Sequence, residues 1–432
     1  MTTPARRPAI SNRTPEGVPG AKRVSSNANV LSLLYLVYFI YFFCGLTQSF
    51  EGVFLPEFKE YFHLSYQQQM YTLFAKNIPF LAAVLIGSTL ARVGYRNYLM
   101  IAMTLYAVGT ALLVPGLNTG RYEVVLLGFF LIGSGFTAQM VAGNPLLSLL
   151  GGSKDASSRQ NLGNALGAIA QIIAPAAISL IIPATAIVVS SKLPYMRGLF
   201  LVLAVVLAAT GLAAFFLANP ELKLQTQCVQ TETLSPGSSV WSNPRILFAF
   251  VVIFLCLGVE AGLFGFFRNY LEQPGSPGLT SSQSQKLFTL YFALFALGRL
   301  VASRIQKKVK PSGHLLVHLA GAILCLLVII FGRGMPAIAA LLLLGFFVSI
   351  FFPTLYALAI EDAGALTARA SGLLTLGFLG CAILPILQGR IADHWGLPRS
   401  YILGIAAYPL TIFYVLWTRR LATTLQTPSY RD

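Results

Sequence analysis

The chain has 432 residues, 56% hydrophobic and 10% charged, with 30 Lys and Arg against 14 Asp and Glu and a formal net charge of +16. A mean hydropathy of +0.72 excludes a soluble globular protein. The excess positive charge does not indicate nucleic acid, because the basic residues are scattered over short loops and tails and do not share one polar face with aromatic residues.

In chain order, residues 1–29 are polar and rich in Pro, Gly and Ser, and are expected to form a disordered cytoplasmic tail ahead of an uncleaved first span. Twelve apolar runs then follow, each long enough to cross a hydrocarbon core of about 30 Å as helix. They are predicted at Val30–Tyr61, Ser65–Leu90, Tyr98–Val114, Val124–Leu150, Arg159–Pro183, Met196–Leu217, Ile246–Leu271, Ser284–Val301, Leu315–Phe331, Met335–Ile360, Ala370–Ala392 and Tyr401–Thr418. The longest polar interruption predicts a cytoplasmic linker at 218–245 between two six-helix bundles, 30–217 and 246–418, with a C-terminal cytoplasmic tail at 419–432. The fold class is therefore all-α membrane protein with twelve transmembrane helices. With both termini cytoplasmic, 20 of the 30 Lys and Arg residues fall inside and 9 outside, and Lys76 lies within the second span, in keeping with the positive-inside rule. The five cysteines, Cys44, Cys228, Cys256, Cys325 and Cys381, show no paired spacing and indicate no disulfide framework.

The halves repeat each other. GFFLIG at 128–133 answers GFFVSI at 345–350, and Pro145, Arg159 and Pro175 answer Pro353, Arg369 and Pro385. Parallel repeats of this kind are a secondary-transporter pattern with the substrate site between the halves. A basic turn follows the second helix of each half: GSTLARVGYRN carries Gly87, Arg92 and Arg96, and GRLVASRIQKK carries Arg299 and Arg304. Their role is gating or only topology.

Glu51 and Glu260 lie deep in the first spans of the two halves, and a charge at that depth costs at least about 2.5 kcal/mol unless it faces a partner or water. Lys76, in the second span, lies at a depth similar to that of Glu51. The pair is either a static salt bridge or a switch whose carboxylate is released or protonated during a transport cycle, so Glu51, Glu260 and Lys76 are the proton-coupling candidates. The amides Gln139, Asn144, Asn161, Asn164 and Asn269, with Phe264, Phe352 and Tyr356, are candidate substrate contacts. Amides bond sugar hydroxyls and rings cover a sugar's apolar face. His314 and His318 have no third ligand, so no metal and no cofactor is expected, and nothing in the sequence makes an enzyme.

The segments GNPLLSLLG (143–151), RQNLGNALGAIAQIIAP (159–175), GVEAGLFGFFRNYL (258–271), FFPTLYALAIEDAG (351–364) and SGLLTLGFLGCAILPILQGRIADHWG (371–396) resemble one branch of the major facilitator superfamily. It is the fucose:proton symporter family, which includes glucose and galactose permeases. The resemblance implies a monomeric, multi-pass permease of the cell inner (cytoplasmic) membrane that moves a small sugar such as fucose, glucose or galactose by alternating access with protons. Members usually carry Asn-Asp ahead of the Leu-Pro that ends the first helix, where this chain has Glu51-Gly52. The family's fourth-helix acid falls on Met140, beside Gln139, and its sugar-binding asparagine of the fifth helix falls on Gly167, with Asn164 at the preceding glutamine. Glu260 matches an acid of the glucose and galactose members. The alternative is an exporter or uniporter of another small or amphiphilic solute on the same fold.

Overall fold

In the computed structural model the described residues are 27–149, 156–183, 186, 188–216, 242–273, 278–306, 308–361 and 367–426, and they form helices joined by short turns. The first half contains α1 (Asn27–Tyr61), α2 (Tyr66–Gln69), α3 (Tyr71–Asn77), a 3₁₀ turn (Ile78–Ala82), α4 (Ala83–Val93), α5 (Tyr95–Thr119), α6 (Tyr122–Leu149), α7 (Ala156–Ile181) and α8 (Val189–Phe216). The second half contains α9 (Pro244–Glu272), α10 (Ser281–Ile305), α11 (Pro311–Phe331), α12 (Met335–Val348), α13 (Phe351–Glu361), α14 (Thr367–Thr375), a second 3₁₀ turn (Leu376–Leu379), α15 (Gly380–Trp395), α16 (Leu397–Ser400) and α17 (Ile402–Gln426).

Among the described residues, 11 helices are long and apolar enough to cross a membrane. The remaining expected span, the second, at Ser65–Leu90, is divided into shorter pieces. Ser65 caps α2 through a capping box with Gln68, α3 restarts at Tyr71, and Pro79, which has no backbone N–H to donate, sits in the 3₁₀ turn. The eleventh span breaks in the same manner at Leu376–Leu379, and the two breaks meet across the molecule, with Phe80 and Phe378 stacked at 5.2 Å. The tenth span breaks between α12 and α13, where the Ser349 hydroxyl donates back to the Phe346 carbonyl. Gly120 ends α5 in the left-handed conformation, φ 66°, which a side chain would resist.

Within the first half α5 packs on α6 and α8, and α1 packs on α7; within the second, α9 packs on α15, α13 and α17, and α12 packs on α10 and α11. The halves meet where α2 and α3 lie against α15 and where α7 lies against α10. We call the face bearing Asn27 and Gln426 proximal and the opposite face distal. Helix contacts depend on missing side chains. A Cβ on Gly45 of α1 would fall 2.2 Å from the Gly167 carbonyl oxygen of α7, and one on Gly133 of α6 would fall 1.8 Å from the Lys76 carbonyl oxygen of α3.

Candidate functional site

A cavity of about 260 Å³ lies between the halves. The first half contributes Gln48 and Ser49 from α1, Lys76 and Asn77 from α3, Phe136 from α6 and Gln171 from α7; the second contributes Glu260 and Phe264 from α9, Tyr291, Phe292, Phe295 and Arg299 from α10, Phe378, and Cys381 from α15. The volume is close to the lower end of the range for small-molecule sites, about 300–1,000 Å³, and polar groups set among aromatic rings suit a small polyhydroxylated solute.

Glu51 stands behind this wall, paired with Lys76 in an ion pair whose side chains are 1% and 9% exposed. One carboxylate oxygen of Glu51, Oε1, has no hydrogen-bond partner among the described residues. The arrangement follows from the break in the second span, since Gly133 lets α3 approach α6 closely enough to aim the lysine at α1. Gly52, where the family resemblance sets the acid, faces the second half: a Cβ there would fall 2.3 Å from Cζ of Phe264. The Phe264 ring takes up the space an Asp at 52 needs, and the acid sits one residue earlier, about 100° around the helix. On the other wall, Glu260 makes no hydrogen bond or ion pair with the described residues and borders the cavity directly. The Arg299 Nε donates to the Ser349 carbonyl at 3.1 Å, and its guanidinium lies 4.5 Å from the Phe295 ring centre.

The sequence-predicted residues divide on this geometry. Lys76, Glu260 and Phe264 come together in the cavity with Arg299, which the sequence reading placed in a basic turn. Arg299 is inside because α10 continues to Ile305, leaving Arg304 exposed in its last turn. Gln139 is 1% exposed and hydrogen-bonded to Tyr41, away from the cavity lining. Asn164 is exposed on α7. Phe352 packs on Phe378 and Tyr356, with ring centres 5.2 and 5.6 Å away, one layer behind the lining. Arg92 is exposed at the end of α4, and Arg96 sits 5.7 Å from the Phe215 ring centre. Gly87 lies in α4, and the side chains of Asn144 and Asn161 lie outside the described residues.

Asn269 belongs to a different structure, a seal across the distal side. Its Oδ1 accepts from Gln69 Nε2 at 2.8 Å, and both carboxylate oxygens of Asp393 on α15 accept the backbone N–H groups of Tyr66 and Gln67, at 2.6 and 2.9 Å. Beside this seam, Arg268 of α9 donates to both carboxylate oxygens of Glu57 on α1, at 2.8 and 2.9 Å, and to Glu272 at 2.7 Å. Lys192 of α8 reaches Glu57 and Ser281, each at 3.1 Å. Arg268 is 1% exposed, and it also donates to the Val53 carbonyl. Two acids and two bases from both halves thus neutralise one another, all but Glu272 out of water, with Arg268 and Glu57 in the bidentate geometry that suits guanidinium. The sequence reading missed this cluster because Glu57 follows the Leu-Pro that ends an apolar run and Lys192 precedes the predicted start of the sixth span. The available signal was opposite charge at matching depth, as for Glu51 and Lys76.

Two helix bundles around a polar central cavity, sealed at one end by interhelical charge, define a multi-pass membrane transporter. The chain belongs to the Major Facilitator Superfamily, whose model matches residues 37–383. It is 27% identical over 412 residues to a glucose/galactose transporter of Brucella abortus, covering 94% of this chain and 99% of that one. To the L-fucose-proton symporter of Escherichia coli it is 22% identical over 411 residues, covering 89% and 92%. Among solved structures it resembles that symporter in the outward conformation, with TM-score 0.62 at 19% identity over 90% of this chain and 99% of the other. It also resembles a bacterial homologue of the human lysosomal transporter Spinster in an inward-facing, occupied conformation, with TM-score 0.71 at 12% identity over 92% and 98%.

Proposed function

We propose that the chain is a sugar permease of the cytoplasmic membrane that moves a monosaccharide of the glucose, galactose or fucose type together with protons, and that it acts as a monomer. The observation that carries the reading is the cavity, which sets Glu260 and Arg299, close enough for their charges to interact, opposite the Glu51–Lys76 pair. The names of the relatives supply the solute class. The positive-inside distribution makes the proximal face cytoplasmic and the distal face external, with 1–29, 218–245 and 419–432 as cytoplasmic tails and linker. On this reading the described state is closed to the outside.

The chemistry follows from the groups present. Sugar hydroxyls bond to Gln48, Asn77, Gln171 and Glu260, and the rings of Phe264 and Phe292 cover the apolar face of the pyranose. Protonation of Glu51 removes its attraction for Lys76, frees the ammonium to move toward solute or water, and lets the contact between α1 and α3 change when the halves rock. Gln139 and Asn269 then serve as helix-to-helix and gate contacts, and Arg92, Arg96 and Arg304 as topology determinants.

Uptake of labelled glucose, galactose and fucose into proteoliposomes, with and without an inward proton gradient, tests the reading. The expected result is gradient-driven accumulation of one sugar by wild type, with exchange but no accumulation in Glu51→Gln and loss of binding in Glu260→Gln. Equal accumulation by wild type and Glu51→Gln makes the Glu51–Lys76 pair structural. If none of the sugars moves, the solute class is wrong.

A further inference from the structure

A second basic cavity, separate from the central one, lies at the distal ends of the second half. It is a cleft of about 620 Å³ bounded by the end of α11, the start of α12, the end of α15 and the turn of α16. Arg333 and Arg399 both line it, with Trp395 and Tyr270. Both guanidiniums are exposed, and neither has a hydrogen bond, ion pair or ring contact with the described residues. Among the described residues no carboxylate lines the cleft. The acid closest in sequence, Asp393, is turned away and holds the Tyr66 and Gln67 amides. Two guanidiniums lining one cleft, with no carboxylate among the described residues beside them, offer an anion charge-assisted donors from both sides.

The cleft's position identifies the source of that anion. The adjoining spans end at Phe331 and Trp395 and begin at Met335 and Leu397, which places both arginines at the edge of the hydrocarbon layer. Phe331 is 78% exposed, Met335 74% and Trp395 63%, forming an apolar rim on the lipid side of the charges. A tryptophan at this level is an interfacial anchor, and arginine stems extend along apolar surface while the head stays in the polar layer. We propose that this cleft binds the phosphate of an anionic phospholipid in the distal leaflet, bidentate to Arg333 and Arg399, with the acyl chains lying along Phe331, Met335 and Trp395.

The chain has 3 tryptophans, so a Trp241→Phe/Trp417→Phe variant leaves Trp395 as the reporter. Quenching of Trp395 by brominated-tail phosphatidylglycerol in phosphatidylcholine nanodiscs is compared with quenching by brominated phosphatidylcholine. At about fivefold per arginine, the anionic lipid is expected to quench at about twenty-five-fold lower mole fraction. Arg333→Gln/Arg399→Gln should abolish that preference while its melting temperature in phosphatidylcholine stays that of wild type. Equal quenching by the two lipids in wild type, or a preference that survives the double substitution, overturns the proposal. Displacement of the brominated lipid by an equal concentration of inorganic phosphate shows a small-anion site and overturns it too. Should the double variant not fold, the wild-type titrations still decide.

Discussion

Gly52 and Glu51 show how one position settles another. Phe264 fills the space beyond Gly52, so Gly52→Asp overpacks a contact between the halves, at a cost of about 1–3 kcal/mol. The expected outcome is a lower melting temperature for Gly52→Asp that recovers in Gly52→Asp/Phe264→Ala; no recovery would show that the ring is not the obstacle. Glu51→Gln leaves Lys76 buried without its counter-charge, a change of about 3–5 kcal/mol, whereas Glu51→Gln/Lys76→Met removes both charges and should melt near wild type. At this scale the sequence was informative where a costly residue sat in the middle of an apolar run, and not where, as for Glu57 and Lys192, it sat near the end of one. A carboxylate or ammonium deep in an apolar run has few tolerable environments, and Glu51, Lys76 and Glu260 were legible for that reason. The amides were not, because Gln139 and Gln48 are chemically alike and only helix rotation decides which one faces the cavity.

Helices were legible as runs of apolar residues, but their breaks were not. An apolar window reads the same whether it is one helix or pieces, and only the capping box at Ser65 and the proline at 79 record the division of the second span. Those pieces carry Lys76 and Asn77 into the cavity, so the local irregularity aims polar side chains at the candidate site. The contact that fixes α3 is the absence of a side chain at 133. Gly133→Ala should push α3 off α6 and lower uptake at least about tenfold, as Gly45→Ala should by separating α1 from α7. Gly198→Ala is the matched control. Nothing lies within 4 Å of its added methyl, and helix propensity favours alanine by up to about 1 kcal/mol. Loss of uptake in all three would mean that glycine count, and not close approach, is responsible.

For the whole molecule, the buried charges on the distal side tie the two halves together at that end. Arg268 keeps Glu272 within its own half, and Glu57 keeps Lys192 within its own, so when the halves part each retains one acid and one base. The cluster therefore discriminates between conformations more than it adds to stability. Cys381 lines the cavity and reports on access. With Cys44, Cys228, Cys256 and Cys325 replaced, Glu57→Gln should raise the rate at which a membrane-impermeant thiol reagent labels Cys381 from the distal side, by about tenfold or more. An unchanged rate would show that the seal does not depend on these charges. The other seam acts through the backbone. Asp393 supplies acceptors to the first two amides of α2 from the opposite half of the chain. The opening turn of that helix is thus finished by a residue that leaves whenever the halves separate. Hydrogen exchange at Tyr66 and Gln67 then becomes a counter of alternation, with each excursion to the open state exposing two amides that are otherwise held.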